Sequence, residues 1–181
     1  MPKEYVLGGI GKGREHLFEG LVPERIGIAM MSMCECWNAV THASIYVNNR
    51  RQFDKMILLF QGVGFTLTDL WARTTNLSLG LLKFCEGYDE KVEKFGGHLP
   101  NNVAQALVAS ASMFKYQCTM LAKDVCYEAA NLCGGAGLGD NTLLHDLLNV
   151  SRIQEIVGGS RQIQQYIMSM ALRTLYKMSV N

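Results

Sequence analysis

The chain has 181 residues, of which 49% are hydrophobic and 18% are charged. This composition excludes a disordered chain, and the length suits one domain with a sizeable core. The formal net charge of +1 gives no electrostatic reason to expect nucleic acid or a membrane surface as a partner. The low charged fraction indicates that a partner or another domain covers part of the apolar surface.

The sequence also carries signals about location and redox state. Residues 1–20 are polar and rich in glycine, unlike a signal peptide, and the apolar stretches further on are broken by polar residues, unlike a membrane span. The six cysteines lack the C-x-x-C pairs that are typical of zinc sites. We therefore expect a cytoplasmic protein with reduced, buried thiols and no metal.

The hydrophobic pattern predicts an all-α fold. Tyr5-Val6-Leu7 is the one candidate strand, and it is short. Apolar residues at helical spacing then predict helices over residues 23–48, 55–86, 100–132, 143–156 and 160–178. Residues 87–97 are charged and bounded by glycines, so we expect an exposed connection there. Long helices with short loops indicate an antiparallel up-and-down four-helix bundle with one short extra helix.

Two segments are candidates for phosphate binding. Arg50 and Arg51 follow the first predicted helix, where their guanidinium groups could clamp a phosphate while Phe53 stacks on an aromatic base. On spacing alone, the better explanation is that the helix dipole favours cations at a helix C-terminus. The glycines of residues 134–139 could bring backbone N–H groups to a pyrophosphate, or could form a plain turn. No strand precedes them, so they are not a Rossmann fingerprint.

Several segments, in order and at matching spacing, resemble the C-terminal helical domain of the acyl-CoA dehydrogenases. They cover residues 21–29, 46–53, 60–61, 131–137 and 156–164. Residues 2–8 resemble the last strand of that family's middle β-domain. The resemblance therefore implies that residues 1–15 are a remnant of that strand and a linker, and that residues 16–181 are the helical bundle domain.

The resemblance implies α,β-dehydrogenation of an acyl-CoA thioester with FAD as the cofactor. The positions that match flavin-contacting positions of the family are Arg50 at the pyrophosphate, Phe53 and Gln61 at the adenosine, Asn131, Gly134 and Gly135 near a neighbouring subunit's flavin, and Ser160 in place of a threonine. The resemblance also implies a homodimer or tetramer that shares the flavin across its interface. In the full enzyme, an electron-transferring flavoprotein would be the partner.

The catalytic base is missing from its usual place. In most members a glutamate in the segment matching residues 156–164 removes the substrate α-proton, and here that position is Gly158. In the isovaleryl-CoA and long-chain branches the base is instead the Glu before an Arg in the first helix of the domain. Glu24 and Arg25 match that pair, which implies Glu24 as the base and Arg25 as a substrate-binding residue. An acidic residue in a first helical turn is also favoured by the dipole alone.

Some positions depart from the family pattern. Asn131 replaces Gln, Asp54 replaces Gly, and Arg161 replaces a small residue, while Asn149-Val150 stands where the family has Arg-Asp. Family members also carry an N-terminal helical domain and a flavin-covering β-domain. We therefore expect a truncated piece, a split-gene subunit or a free-standing protein that is inactive alone. The alternative is a catalytically inactive helical bundle that acts in oligomerisation or protein interaction.

Overall fold

The computed structural model describes residues 2–6, 8–97, 99–140 and 142–178. The five α-helices of this part of the chain are α1 (Gly13–Asn49), α2 (Gln61–Lys94), α3 (Asn101–Cys133), α4 (Leu143–Ile156) and α5 (Arg161–Met178). Short 3₁₀ segments cover Lys3–Tyr5, Ile57–Leu59 and Gly134–Leu138. The two strands are β1 (Arg51–Gln52) and β2 (Lys55–Met56), which pair antiparallel between α1 and α2. The predicted all-α fold is confirmed.

Side-chain contacts fix the direction of α2 relative to α3. Phe84 stacks on Phe114 with ring centroids 5.1 Å apart. Earlier on α2, Arg73 Nη2 lies 3.2 Å from Asp124 Oδ2, which is later on α3. Because residue numbers rise on one helix as they fall on the other, α2 and α3 run antiparallel.

The first and third helices run parallel, side by side. Val22 and Ile26 at the beginning of α1 pack with Leu107 and Ala111 near the beginning of α3. Stripes of small, fully buried side chains then line the contact between the two helices: Ala29, Cys36, Ala39 and Ala43 on α1, and Cys118, Ala122, Cys126 and Ala129 on α3. Small side chains bring the two helix axes close together. The ends of α1 and α3 therefore lie at the same end of the bundle as the start of α2.

The chain returns along this pair through α4 and α5. Gln154 of α4 contacts Glu35 of α1. On α5, Arg161 Nη1 lies 3.8 Å from Met120 Sδ, and Gln165 Nε2 lies 3.5 Å from Tyr116 Oη, so α5 runs antiparallel to α3. The turn between these two helices, residues 157–160, is called the α4–α5 turn below. It lies beside the N-terminal halves of α1 and α3.

The structure corrects several predicted boundaries. Helix α1 begins at Gly13, so Pro23 lies inside it and not at its start. Helix α2 begins at Gln61 because the β-hairpin and a 3₁₀ turn occupy residues 51–59. It continues to Lys94 through most of the predicted connection, where Tyr88 packs against the core cluster around Val22. Tertiary packing here extends the helix past a glycine that the local pattern treats as a breaker.

The N-terminal strand is not formed as predicted. Tyr5 ends a 3₁₀ turn that starts at Lys3, and Leu7 lies outside the described residues. An isolated strand has no neighbour to satisfy its backbone groups, whereas the 3₁₀ turn supplies its own hydrogen bonds, such as that from the Val6 amide to the Lys3 carbonyl. Among the described helices, none combines the length and apolar character needed to cross a bilayer.

The cysteines divide between core and surface. Cys36, Cys118, Cys126 and Cys133 are buried, and burial raises the pKa of Cys118 and Cys126 to about 12, which keeps both as neutral thiols. Cys85 is half-buried and Cys34 is exposed, so the prediction of buried thiols holds only in part at Cys85 and is wrong at Cys34. Cys34 and Cys36 are two residues apart on α1, so their side chains lie on nearly opposite sides of the helix. Cys34 therefore points away from the core that buries Cys36.

Candidate active site

The structure separates the predicted site residues into two groups. Glu24, Arg25, Gly158 and Ser160 come together where the α4–α5 turn meets α1. The others lie around the β-hairpin and the 3₁₀ segment after α3, a region called the hairpin end below: Arg50, Phe53, Gln61, Asn131, Gly134 and Gly135. Glu24 and Arg50 are separated along α1 by about 40 Å, from the 1.5 Å rise per residue of a helix. The two groups do not form one pocket within a single copy of the chain.

The Glu24 carboxylate lies beside Gly158. A Cβ atom placed on Gly158 would be 3.7 Å from Glu24 Oε1 and 3.8 Å from Glu24 Cδ, and it would overlap Cδ1 of Ile28. Gly158 also has a φ of 64°, in the left-handed region that favours glycine. The space beside Gly158, where another residue's side chain would begin, is therefore filled by Ile28 and bordered by the Glu24 carboxylate.

Three side chains from three helices hold the carbonyl groups of the α4–α5 turn. Arg25 Nε donates to the Gly158 carbonyl oxygen at 3.4 Å. Gln164 Nε2 donates to the Gly158 and Gly159 carbonyl oxygens at 3.0 and 2.9 Å. Lys115 Nζ donates to the carbonyl oxygens of Gly159 at 2.7 Å and of Glu155 at 3.0 Å. The turn is therefore fixed by α1, α3 and α5 together.

Two of these three side chains are cationic and buried. Arg25 is 4% exposed, and its Nη1 lies 3.4 Å from the Ser112 hydroxyl. Desolvation lowers the pKa of Arg25, and the charge of Glu24 opposes that shift. Lys115 is 0% exposed, and desolvation lowers its pKa to about 8 although Glu155 and Glu24 act in the opposite direction. Both cations sit beside the turn that carries Gly158.

Sequence reasoning missed Lys115 and Gln164 as parts of this site. Lys115 lies in an apolar stretch of α3, and a lysine there is unusual, since lysine is almost never fully buried without a partner. That anomaly was the one available signal. Gln164 ends the segment that resembles the family signature, but nothing in the sequence shows that its amide reaches back to Gly158.

A second buried polar cluster links α1 and α4 near the turn. Gln154 Nε2 donates to Glu35 Oε1, and the Ser32 hydroxyl donates to Gln154 Oε1. Glu35 is 6% exposed, and its second carboxyl oxygen has no hydrogen-bond partner among the described residues. Desolvation raises the pKa of Glu35 to about 7. This cluster was also missed, because Glu35 lies between cysteines in a stretch that reads as core.

The hairpin end presents its side chains to solvent. Phe53 and Asp54 form the two-residue turn of the β-hairpin, with φ values of 50° and 62°, although neither is glycine. The Phe53 ring is 86% exposed and meets the Phe60 ring edge-on with centroids 6.2 Å apart. Lys55 Nζ lies 4.0 Å from the centroid of the Phe60 ring. Arg50, at the end of α1, is exposed beside them.

The glycines after α3 combine one close approach with open positions. A Cβ on Gly137 would overlap the Ala130 carbonyl oxygen, so glycine is required there for the 3₁₀ segment to pack on α3. Gly134 and Gly135 have no atom within 4 Å of such a position and are exposed. Asn131 is exposed, and its Nδ2 is 3.5 Å from Glu128 Oε2. The Gly134 N–H donates to the Asn131 carbonyl oxygen, so this segment exposes the Asn131 side chain and the glycine backbone but no free N–H of Gly134.

The fold and the turn define an all-α domain of the type found at the C-terminus of acyl-CoA dehydrogenases. Residues 11–173 match the family model of the acyl-CoA dehydrogenase C-terminal domain. The structure of the acyl-CoA dehydrogenase from Geobacillus kaustophilus superposes with a TM-score of 0.83, at 24% identity, over 95% of this chain and 42% of that one. The chain belongs to the acyl-CoA dehydrogenase family.

Named relatives span several activities. The chain is 25% identical to the caffeyl-CoA reductase-Etf complex subunit CarC of Acetobacterium woodii over 93% of its own length and 41% of that protein. It is 30% identical to a probable short/branched chain specific acyl-CoA dehydrogenase of Dictyostelium discoideum over 88% of its length and 35% of that protein. The chain thus spans about two fifths of the length of these relatives, and they do not resolve its branch.

Proposed function

We propose that this chain is the C-terminal part of an FAD-dependent acyl-CoA dehydrogenase and that it supplies the catalytic base. The observation that carries the proposal is the position of the Glu24 carboxylate, 3.7 Å from where a side chain on Gly158 would begin. A carboxylate on α1 occupies the neighbourhood that a glutamate on the α4–α5 turn would otherwise reach. We propose the arrangement that the resemblance implies for the isovaleryl-CoA and long-chain branches of the family.

In the proposed reaction Glu24 removes the proton on the carbon beside the thioester carbonyl. Proton transfer requires the carboxylate to be within hydrogen-bond reach of that carbon's proton in the bound substrate. The turn contributes by holding Gly158, beside which Ile28 and the Glu24 carboxylate lie. For Arg25 we propose a contact to acyl-CoA through Nη2, since Nε and Nη1 already bond to Gly158 and Ser112.

The residues of the hairpin end fit a dinucleotide such as FAD. An exposed guanidinium at Arg50 suits a pyrophosphate, and the exposed ring of Phe53 suits stacking on adenine. Gln61 and Asn131 add side-chain amides, Gly134 and Gly135 add backbone that a ligand can approach closely, and Ser160 adds a hydroxyl at the turn. FAD would accept the hydride from the β-carbon. The hairpin end lies about 40 Å along α1 from Glu24, so we propose a homodimer or tetramer in which one copy's hairpin end serves another copy's turn.

The remaining partners follow from the proposed family role. The substrate would be an acyl-CoA, and an electron-transferring flavoprotein would re-oxidise the flavin. The Acetobacterium woodii relative is described as a subunit of a complex with such a protein, Etf.

The base is tested by replacing the C-terminal part of a full-length relative with this chain. Glu24→Gln is expected to lower the turnover of acyl-CoA by about 10³-fold, because a general base contributes about that much, while the FAD content stays unchanged. Glu90→Gln, an exposed carboxylate on α2, is the matched control and is expected to leave turnover unaffected. Near-normal turnover of Glu24→Gln would remove Glu24 from the role.

A second candidate function is a non-enzymatic bundle that acts through oligomerisation. Large exposed apolar side chains on α2, among them Trp71, Leu79 and Leu82, favour it. Titration with FAD, followed by absorbance and by molar mass in light scattering, separates the two candidates. Oligomers that form without FAD and never bind it, even after the N-terminal domains of a full-length relative are supplied, support the second candidate.

A further inference from the structure

We propose that Lys115 is a positioning residue of the candidate active site, whose ammonium group ties the α4–α5 turn to α3 and so sets where Gly158 lies relative to Glu24. This inference rests on the proposed function, in which the turn and Glu24 form one site. Lys115 itself does not touch Glu24, so it acts through the turn.

The contacts of Lys115 explain why a charged group is buried at this point. Within the described part of the chain, its two hydrogen bonds both end on backbone carbonyl oxygens, those of Glu155 and Gly159. A methionine would fill similar space without the free-energy cost of burying an ammonium group. The charged group is explained by its two hydrogen bonds, which join the last turn of α4 to the α4–α5 turn. The dipole of α4 also favours a cation at this C-terminal end of the helix.

The turn needs such an external hold. Gly158 and Gly159 follow each other with φ values of 64° and 97°, and glycine has the widest choice of backbone conformations. Of the three side chains that bond to the turn, Lys115 makes the shortest contact, 2.7 Å to the Gly159 carbonyl oxygen. Lys115 also connects the turn to Glu155 of α4. Loss of its ammonium would free the turn while leaving the apolar packing of α1 and α3 in place.

The bound carbonyl groups also orient the opposite side of the turn. The described peptide bonds are trans, so each N–H points away from the carbonyl of its own peptide unit. The Gly158 and Gly159 carbonyl groups face Arg25, Gln164 and Lys115. The N–H groups of Gly159 and Ser160 therefore face away from these side chains. Fixing Gly159 through Lys115 thus orients the backbone that leads into Ser160.

The test measures the turn directly by NMR on the whole chain, without turnover. In the native protein we expect a nuclear Overhauser effect between the Gly158 α-protons and the Glu24 side chain, and rigid-backbone order parameters of about 0.85 for Gly158 and Gly159. Lys115→Met is expected to abolish that Overhauser effect and to lower the order parameters below about 0.6, with the dispersion of other signals kept. Thr119→Val, a buried polar residue one turn later on α3 that bonds to the Lys115 carbonyl, is the matched control and is expected to retain both signals.

An unchanged Glu24–Gly158 Overhauser effect in Lys115→Met overturns the proposal, as does an equal loss of order in every helix. If Lys115→Met does not fold, Lys115→Gln is measured in the same way. Its shorter amide cannot reach both carbonyl oxygens, so the Overhauser effect is expected to weaken, and an unchanged effect in a folded Lys115→Gln also overturns the proposal.

The proposed function is tested separately by Glu24→Gln in the chimaera described above. Lys115→Met in the same chimaera is expected to lower kcat with little change in KM. An inactive native chimaera, with the Overhauser effect lost in Lys115→Met, contradicts the proposed function and supports the placement of Lys115. If the native chimaera is active and Lys115→Met keeps the Overhauser effect, the role of Lys115 is contradicted and the proposed function is not.

Discussion

The α4–α5 turn and the hairpin end differ in how their functional groups are held. At the turn, the Gly158 and Gly159 carbonyl groups are bonded by side chains from three helices, and two of those side chains are buried cations. At the hairpin end, Arg50 is exposed at the end of α1, and Phe53 projects into solvent from the two-residue turn of the β-hairpin. The chain therefore holds its candidate active site in place by contacts of its own, whereas its predicted nucleotide-binding region offers groups that only a ligand or a second copy would engage.

The largest expected effect on the free energy of unfolding comes from Glu35, in the buried polar cluster beside the turn. Glu35 has its pKa raised to about 7 in the folded protein, from 4.5 when exposed. Its stabilising contribution is therefore complete below pH 4.5 and is lost as the pH rises through about 7. At pH 8, Glu35→Gln should be more stable than the native protein by up to about 3 kcal/mol, relative to their difference at pH 4. Urea unfolding across this range measures it.

Glu93→Gln on the exposed face of α2 is the control for this experiment, and its stability should follow the native pH curve. A Glu35→Gln curve parallel to that of the native protein from pH 4 to 8 would show that Glu35 is not held in its protonated form by folding.

A pair of glycine substitutions compares the two regions directly. Gly158→Ala should destabilise the protein by about 2 to 3 kcal/mol, because the new Cβ overlaps Ile28 and the φ of 64° is strained for alanine. Gly135→Ala at the hairpin end has no atom within 4 Å of its Cβ and should change stability by less than about 0.5 kcal/mol. Urea unfolding of both variants gives the difference.

The double variant Ile28→Val with Gly158→Ala identifies the cause. Valine lacks the Cδ1 atom that the new Cβ would overlap, so the pair should recover about 1 kcal/mol relative to the sum of the single changes. Simple additivity would assign the whole effect to the backbone angle. The overlap also predicts that a glutamate placed at position 158 cannot replace Glu24 without a change at Ile28.

A smaller effect on stability, with a larger one on binding, is expected from Phe53→Ala. The ring is 86% exposed, so its removal should change the free energy of unfolding by less than about 0.5 kcal/mol. Loss of a stacking partner should nevertheless weaken FAD binding in the chimaera by about tenfold. Fluorescence titration with FAD checks this, with Phe65→Ala on α2 as the exposed aromatic control. Equal affinities for both variants would exclude Phe53 from the nucleotide site.

The smallest expected effect is at Asp54. Its φ of 62° is one that glycine adopts without strain, so Asp54→Gly should stabilise the chain by about 0.5 kcal/mol. Thermal unfolding at high precision measures the gain. A loss of stability would indicate that the greater entropy of glycine in the unfolded chain outweighs the backbone strain removed from the turn.

The sequence by itself determined the all-α class, because apolar residues at helical spacing dictate which surfaces must be buried. Helix α4 was predicted with its observed bounds, and α3 differs by one residue at each end. The replacement of the usual glutamate by Gly158 and the presence of Glu24 were also readable, because they depend on residue identity alone. The start of α1 and the extension of α2 past Gly87 were not, since packing of residues such as Tyr88 overrides local signals.

The tertiary structure alone decided which of these residues meet. It places the Glu24 carboxylate beside Gly158 although they are far apart in the chain, and it separates both from Arg50 by the length of α1. It also brings Lys115 and Gln164 to the turn, a contact that their positions in the sequence do not indicate. Periodicity reports which face of a helix is buried, but the partner of that face depends on how the helices pack. A contact such as that of Lys115 with Gly159 therefore becomes visible only once α3, α4 and α5 are assembled.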